Sequence, residues 1–270
     1  MSHVVVKLGG HALDSLSPRS AVLVDLAQDI EKLRASGTDV VVVHGGGPQI
    51  AELLGLVGIE SKFHEGLRIT DAKTMGYVAM ALGHVNQQVV AALNSAGLTS
   101  TGLNGADGTL MTATSLGMPW DRAGGAPKVR SEVLTALWNA GITPVVSPVA
   151  VDDRGELINC NADTAAGAIA GAIGATILVL LSDIDQLRSD PEDASTALSS
   201  VTSSQVKELI ASGAAREGMR PKMTAALDAL SGGASKIVMA NGTRPHALSE
   251  ALSGSIPARR AGQQTLFGAQ

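Results

Sequence analysis

Apolar residues along the chain fall into two patterns. Short, nearly unbroken β-branched runs at residues 4–6, 40–43, 144–147, 177–181 and 236–239 predict strands, and the first two are each followed by glycines. Longer segments of helical pattern lie between and beyond them, at 20–36, 48–54, 71–96, 131–140, 164–173, 203–212 and 221–230. Strands without polar alternation are buried on both faces. They predict an α/β fold with a mostly parallel sheet and helices on either side. The least regular stretch, 109–128, holds Gly117, Pro119, Gly124, Gly125 and Pro127, and is predicted as a surface excursion that could cover a site. Residues 188–200 are polar and loop-like. No repeat and no linker interrupts the chain. A boundary near Pro148 therefore separates an N-terminal lobe, 1–148, from a C-terminal lobe, 149–270, rather than two independent domains.

Composition narrows this picture. The 270 residues suffice for one large α/β domain or two joined lobes. Hydrophobic residues make up 45% and aromatics 2%, so Ala, Val, Leu and Ile must fill the core. A net charge of −5 argues against nucleic acid as the main partner. The single cysteine, Cys160, excludes an intrachain disulfide and fits a reducing compartment, hence a cytoplasmic setting. The first residues lack the charged and apolar regions of a signal peptide. The uncharged run 165–181 reads as a helix, a turn at 174–176 and a buried strand, not as a membrane span.

Five motifs carry chemistry. Lys7-Leu8-Gly9-Gly10 follows the first strand. A lysine ending a buried strand is costly unless it meets an anion, and glycines allow backbone N–H groups to approach phosphate oxygens. The alternative is a tight turn with a solvated lysine. His44-Gly45-Gly46-Gly47-Pro48 follows the second strand and opens a helix, the arrangement of an anion-binding N-terminus; His44 itself reads as structural. Arg68 precedes Asp71, which is placed to cap the long helix. Its fork suits a carboxylate, with a plain surface arginine as the alternative. In Asn159-Cys160-Asn161-Ala162-Asp163, alternation puts both asparagines on one side, and Asp163 is expected as the N-cap of the Ala-rich helix. Such an acid could also position lysines or a metal ion. Lys222, after Gly218-Met219-Arg220-Pro221, sits where a helix dipole disfavours a cation unless an anion is near.

These pieces suit phosphoryl transfer, which needs positioning and charge neutralisation more than covalent help. A carboxylate acceptor needs no general base, since its reference pKa is about 4. Neither a Walker loop nor a Gly-x-Gly-x-x-Gly fingerprint is present, and the histidines show no zinc spacing.

In series, and with Asn241-Gly242-Thr243-Arg244-Pro245-His246-Ala247-Leu248 near the end, the motifs resemble the acetylglutamate kinases of the amino acid kinase superfamily, over nearly the whole chain. The resemblance implies a three-layer α/β/α sandwich around a mainly parallel sheet, assembled as a homodimer. It implies ATP with Mg²⁺ as the phosphoryl donor, an acylated amino acid as acceptor, and a role in arginine or ornithine biosynthesis, with no nucleic acid and no membrane as partner. By motif, Lys7 and Lys222 would stabilise the transferring group and Asp163 would hold the lysines. Gly9, Gly10, Gly46 and Gly47 would offer N–H groups. Arg68 and Asn159 would grip the substrate's α-carboxylate end. Ser182, Asp183 and the stretch from Ala214 to Met219 would line the nucleotide. No metal ligands from the protein are expected.

Two departures from the family pattern stand out. Gln186 replaces a frequent glycine, and segment 121–128 lacks the usual Leu-Gly-x-Val-Gly. A kinase of the same fold acting on glutamate or aminoadipate attached to an acidic carrier protein is therefore an alternative, with Arg122, Lys128 and Arg130 as a landing patch. A non-catalytic amino-acid or nucleotide sensor is another. Only six residues precede Lys7, too few for the N-terminal helix of arginine-inhibited members, so strong arginine inhibition is not expected.

Overall fold

The computed structural model describes residues 2–9, 13, 20–183, 187–188, 193–198, 200–213, 219–253 and 264–268. The eight-stranded main sheet runs, in spatial order, Ser200–Thr202, Gln264–Gly268, Lys236–Asn241, Ile177–Ser182, Ser2–Leu8, Thr38–His44, Thr143–Ser147 and Ser100–Asn104. The last six are mutually parallel, while Gln264–Gly268 runs antiparallel to Lys236–Asn241 and parallel to Ser200–Thr202. The five strands foreseen from valine-rich runs form the middle of this sheet.

Helices cover both faces. α1 (Ala21–Ala35), α3 (Ala72–Ser95) and α8 (Ala247–Leu252) pack on Val4, Val6, Leu8 and their register partners. α4 (Glu132–Asn139), α5 (Ala162–Ala172), α6 (Ser203–Ala211) and α7 (Arg220–Ser231) pack on the opposite face against Val5, Val43 and Leu180. α2 (Gly47–Leu56) rests on α3. The sandwich therefore has the three expected layers, and every foreseen helix forms. Local chemistry sets several ends. Asp71 caps α3 by accepting from Thr74 N at 2.7 Å, and Thr202 with Gln205 makes a capping box on α6. The run 165–181 is helix, turn and strand as foreseen, and no helix among the described residues is long and apolar enough to cross a membrane.

The stretch 109–128 departs from expectation. It is not a bare excursion: Met111–Thr112, Ser115–Gly117, Asp121–Gly124 and Lys128–Val129 join Val149–Val151 and Leu157–Cys160 in a second, six-stranded mixed sheet. Strands of two to four residues interrupted by glycine and proline leave no readable alternation. The polar stretch 188–200 likewise contains a short pairing of Leu187–Arg188 with Ala197–Leu198.

α5 and α7 approach unusually closely. A Cβ at Gly167 would stand 2.7 Å from Ala225 O, and one at Gly171 would stand 3.0 Å from Gly232 Cα. Only hydrogen fits at these points, which brings the two helix N-termini side by side. Gly167→Val should therefore cost about 1–3 kcal/mol by overpacking. Gly55→Ala, in α2 with nothing within 4 Å of the new methyl, should stabilise slightly. Thermal melts of the two variants should move in opposite directions; equal shifts would refute the close-packing account.

Candidate active site

Strand alternation decides where Lys7 points. Val4, Val6 and Leu8 face α1, whereas Val5 and Lys7 face α5, with Lys7 in register between Val43 and Leu180. There its ammonium meets the Asp163 carboxylate from the first turn of α5. Lys7 Nζ lies 2.8 Å from Oδ1 as an ion pair outside hydrogen-bonding angle, and Lys222 Nζ, from the first turn of α7, donates to Oδ2 at 3.1 Å. Lys7 and Asp163 are each 5% exposed. Burial lowers the Lys7 pKa, against the pull of Asp163 and with the push of Lys222. Burial alone would raise the Asp163 pKa, but the two lysines together outweigh it and hold it below the ordinary value.

Asp163 is not the N-cap of α5. That role belongs to Asn161, whose Oδ1 accepts from Asp163 N at 2.8 Å and Thr164 N at 3.2 Å. With the cap supplied two residues earlier, the Asp163 carboxylate is left for the lysines.

A cleft of about 180 Å³ opens beside this triad. Lys7, Gly46, Gly47, Arg68, Asn159 and Asp163 all line it, as do Asn161 and Phe63. Arg68 is 8% exposed; it donates to Gly47 O at 3.2 Å and to Ser61 Oγ, and its guanidinium sits 4.7 Å from the Phe63 ring centre. All three partners are neutral, and among the described residues no carboxylate faces Arg68. Burial lowers its pKa, yet an arginine keeps its charge. Asn159 donates to Thr70 Oγ1 at 3.1 Å, and Thr70 in turn donates to Arg68 O, which ties the two sides of the cleft together. Cys160 also lines the cleft, but burial pushes its thiol up to about 12, so it is not a nucleophile.

The remaining foreseen residues divide. Gly9 lies directly under the Lys7 ammonium, which a Cβ would overlap; its N–H is taken by Leu181 O at 3.1 Å, so its contribution is space rather than the free donor expected. Ser182 ends its strand and donates to the exposed Asp183 at 3.0 Å, and Met219 is the half-buried N-cap residue of α7. None of these three lines the cleft. Gly10, Ala214 and Gln186 lie outside the described residues. Of the basic patch at 122–130, Arg122 is paired with Glu156 at 2.6 Å and Arg130 stands 3.9 Å from Glu132. Sequence reasoning missed Ser61, Phe63 and Thr70. They sit on or beside a two-residue hairpin, Phe63–His64 with Leu67–Arg68, too short to leave a pattern.

The Asp163 shift has a definite sign. Because its folded pKa is depressed, its stabilising effect is complete above the ordinary carboxylate range and is lost as pH falls from about 4 through the lower folded value. Asp163→Ala leaves the buried Lys7 ammonium and the half-buried Lys222 ammonium unpaired and should cost about 3–5 kcal/mol at neutral pH. Urea unfolding as a function of pH should show a steep acid loss in the wild type that is flattened in the variant. Equal acid profiles would show that the triad does not govern stability.

Comparison with known proteins supports the same reading. The family model described as "Amino acid kinase family" matches residues 2–241. The acetylglutamate kinase of Symbiobacterium thermophilum is 41% identical over 255 residues, covering 91% of this chain and 86% of that protein. The acetylglutamate kinase of Cereibacter sphaeroides is 44% identical over 247 residues, covering 90% and 82%. Among solved structures, smu.665 from Streptococcus mutans superposes with a TM-score of 0.78 at 26% identity, covering 88% of this chain and 94% of that one. The buried lysine–aspartate–lysine triad thus stands in a chain that belongs to the amino acid kinase family, among the acetylglutamate kinases.

Proposed function

We propose that this chain transfers the γ-phosphoryl group of ATP to the side-chain carboxylate of N-acetyl-L-glutamate, forming an acyl phosphate for arginine or ornithine biosynthesis. The observation that carries the substrate half is Arg68, a buried cation with neutral neighbours in the cleft that also holds Lys7. A substrate α-carboxylate supplies the missing counter-charge in bidentate geometry, and Asn159 stands across the cleft to orient it. In this reading the acylated amino acid lies against lobe 1–148 and the nucleotide against lobe 149–270, near Ser182, Asp183 and Met219.

The acceptor carboxylate is ionised at neutral pH and needs no base. Charge spreads over the oxygens of the transferring group in the transition state. Two ammonium groups against one carboxylate leave the triad with a net positive charge facing that group, while Asp163 fixes where each ammonium stands. The N-terminus of α2, with Gly46 and Gly47, adds N–H donors on the opposite wall. Mg²⁺ accompanies the nucleotide and shares its phosphate charge. Among the described residues no group of three His, Cys, Asp or Glu could hold a metal, so the ion is expected to ride on the phosphates. We also propose a cytoplasmic homodimer, the commonest closed assembly.

Hydroxylamine trapping with ATP, Mg²⁺ and N-acetylglutamate should report acyl phosphate. Trapping only with a carrier-bound amino acid would overturn this substrate. Lys7→Ala and Lys222→Ala should each lower kcat by about 10²–10³-fold, whereas Arg68→Lys should chiefly raise KM for the acceptor. Because burial lowers the Lys7 pKa, kcat should fall on the alkaline side before an ordinary lysine near pH 10.4 would titrate. A flat profile up to that pH would remove Lys7 from the chemistry.

A further inference from the structure

His44 is wholly buried at the end of its strand and does not itself line the cleft, yet its ring is bonded at both nitrogens. Nδ1 lies 2.7 Å from Gly45 O, and Nε2 lies 3.0 Å from Asn86 Nδ2 on α3. The Asn86 amide nitrogen also donates to Val145 O at 3.0 Å. A carbonyl can only accept and an amide nitrogen can only donate. The network therefore specifies a neutral ring protonated at Nδ1: Asn86 donates to Nε2, and Nδ1 donates to Gly45 O. Burial holds the ring's pKa down to about 4, so it stays neutral throughout the working range. The Asn86 amide is itself held by its bond to Val145 O and lies close against Gly102, where a Cβ would collide with it.

The consequence falls on the next peptide. The Gly45–Gly46 bond is trans, so its C=O and N–H point in opposite directions. With Gly45 O turned toward His44, the Gly46 N–H is turned away from the core. Gly46 lines the cleft opposite Lys7, and among the described residues no acceptor takes its N–H. Gly46 is also pressed against α3, where a Cβ would stand 2.8 Å from Leu82 Cδ2. The ring thus sets the peptide orientation, and α3 sets its depth.

We propose that His44 and Asn86 are positioning residues that lock the Gly45–Gly46 peptide so that the Gly46 N–H donates to the transferring phosphoryl group. Without the lock the peptide can rotate, and the donor is lost to the transition state while both substrates still bind. This deepens the kinase reading and rests on it. If wild-type enzyme forms no acyl phosphate, that reading fails. If it does, the arms below judge the lock alone.

In wild-type protein, ¹⁵N spectra of the His44 ring should show the Nδ1-protonated neutral form, unchanged between about pH 6 and pH 9. An Nε2-protonated or charged ring would overturn the proposal without any variant. His44→Leu should lower kcat by about 10²-fold, with KM for both substrates within about threefold of wild type. His44→Asn, which keeps a donor at the Nδ1 position, should recover about tenfold of that loss. Asn86→Ala should mix the ring tautomers and lower kcat. Equal losses in His44→Leu and His44→Asn, a loss confined to KM, or an unchanged tautomer and kcat in Asn86→Ala would each sink the idea. Should His44→Leu fail to fold, the ring spectra and Asn86→Ala still decide.

Discussion

One carboxylate organises this molecule. Asp163 holds two ammonium groups that reach it from different parts of the chain, and burial opposes the charge of Lys7 and of Asp163 where they stand. At Asp163 the two lysines outweigh that opposition, whereas at Lys7 burial prevails and lowers the pKa. Such a cluster contributes little net stability compared with an apolar core of the same volume. What it supplies is a fixed excess of positive charge at a defined place. The fold around it serves that placement: strand alternation turns Lys7 toward α5, Asn161 caps α5 so that Asp163 need not, and Gly167, Gly171 and Gly232 let α7 bring Lys222 within reach.

The parallel sheet makes this economical in structural terms. The strands ending in Leu8, His44 and Ser182 all finish at one edge, and helices α2 and α5 begin there. Helix N-termini carry partial positive charge and unsatisfied N–H groups. Two such termini, Lys7 and Arg68 therefore converge on one cleft, with Lys222 joined to it through Asp163, from elements whose directions are set by sheet topology. Open α/β sheets place ligands outside the carboxyl ends of their strands for this reason. An anionic acceptor meeting an anionic donor requires this concentration of positive potential, because in water the two would repel.

Much of this was legible in the sequence, and the failures have physical causes. Continuous valine runs announced the central strands, since nothing but burial on both faces explains them. The edge strand Ser100–Asn104 was missed because Ser-Thr-Gly-Leu-Asn has a polar pattern, which an edge tolerates and a centre does not. α8 was missed because its N-terminus is satisfied from afar: buried Asp29 of α1 accepts from Ser249 N at 3.1 Å and faces His246 Nδ1 at 2.9 Å. A helix of six residues capped by a side chain more than two hundred positions away leaves no local signature. The assignment of Asp163 as cap failed for a related reason. Asn and Asp are comparable caps, and only the presence of two lysines in space decides which residue is released for other work.

The two kinds of cation at the site differ in what they leave undone. Lys7 and Lys222 share one resident counter-ion, so half of their charge is neutralised before any ligand arrives, and only the excess is free to act. Arg68 has a hydroxyl, a carbonyl and an aromatic face, which take two of its five N–H donors and stack on it without supplying a counter-charge. A buried charge left unanswered is tolerated only where something else is worth its cost. The cleft is therefore polarised by chemistry and not by shape alone. In the proposed kinase reading, a permanent anion at the arginine end would lower the energy of the bound state as a whole. At the lysine end the gain would be greatest as charge moves onto the transferring oxygens. On that reading, binding energy and rate enhancement fall to different residues of one site. That division is what an enzyme needs when its two substrates carry charge of the same sign.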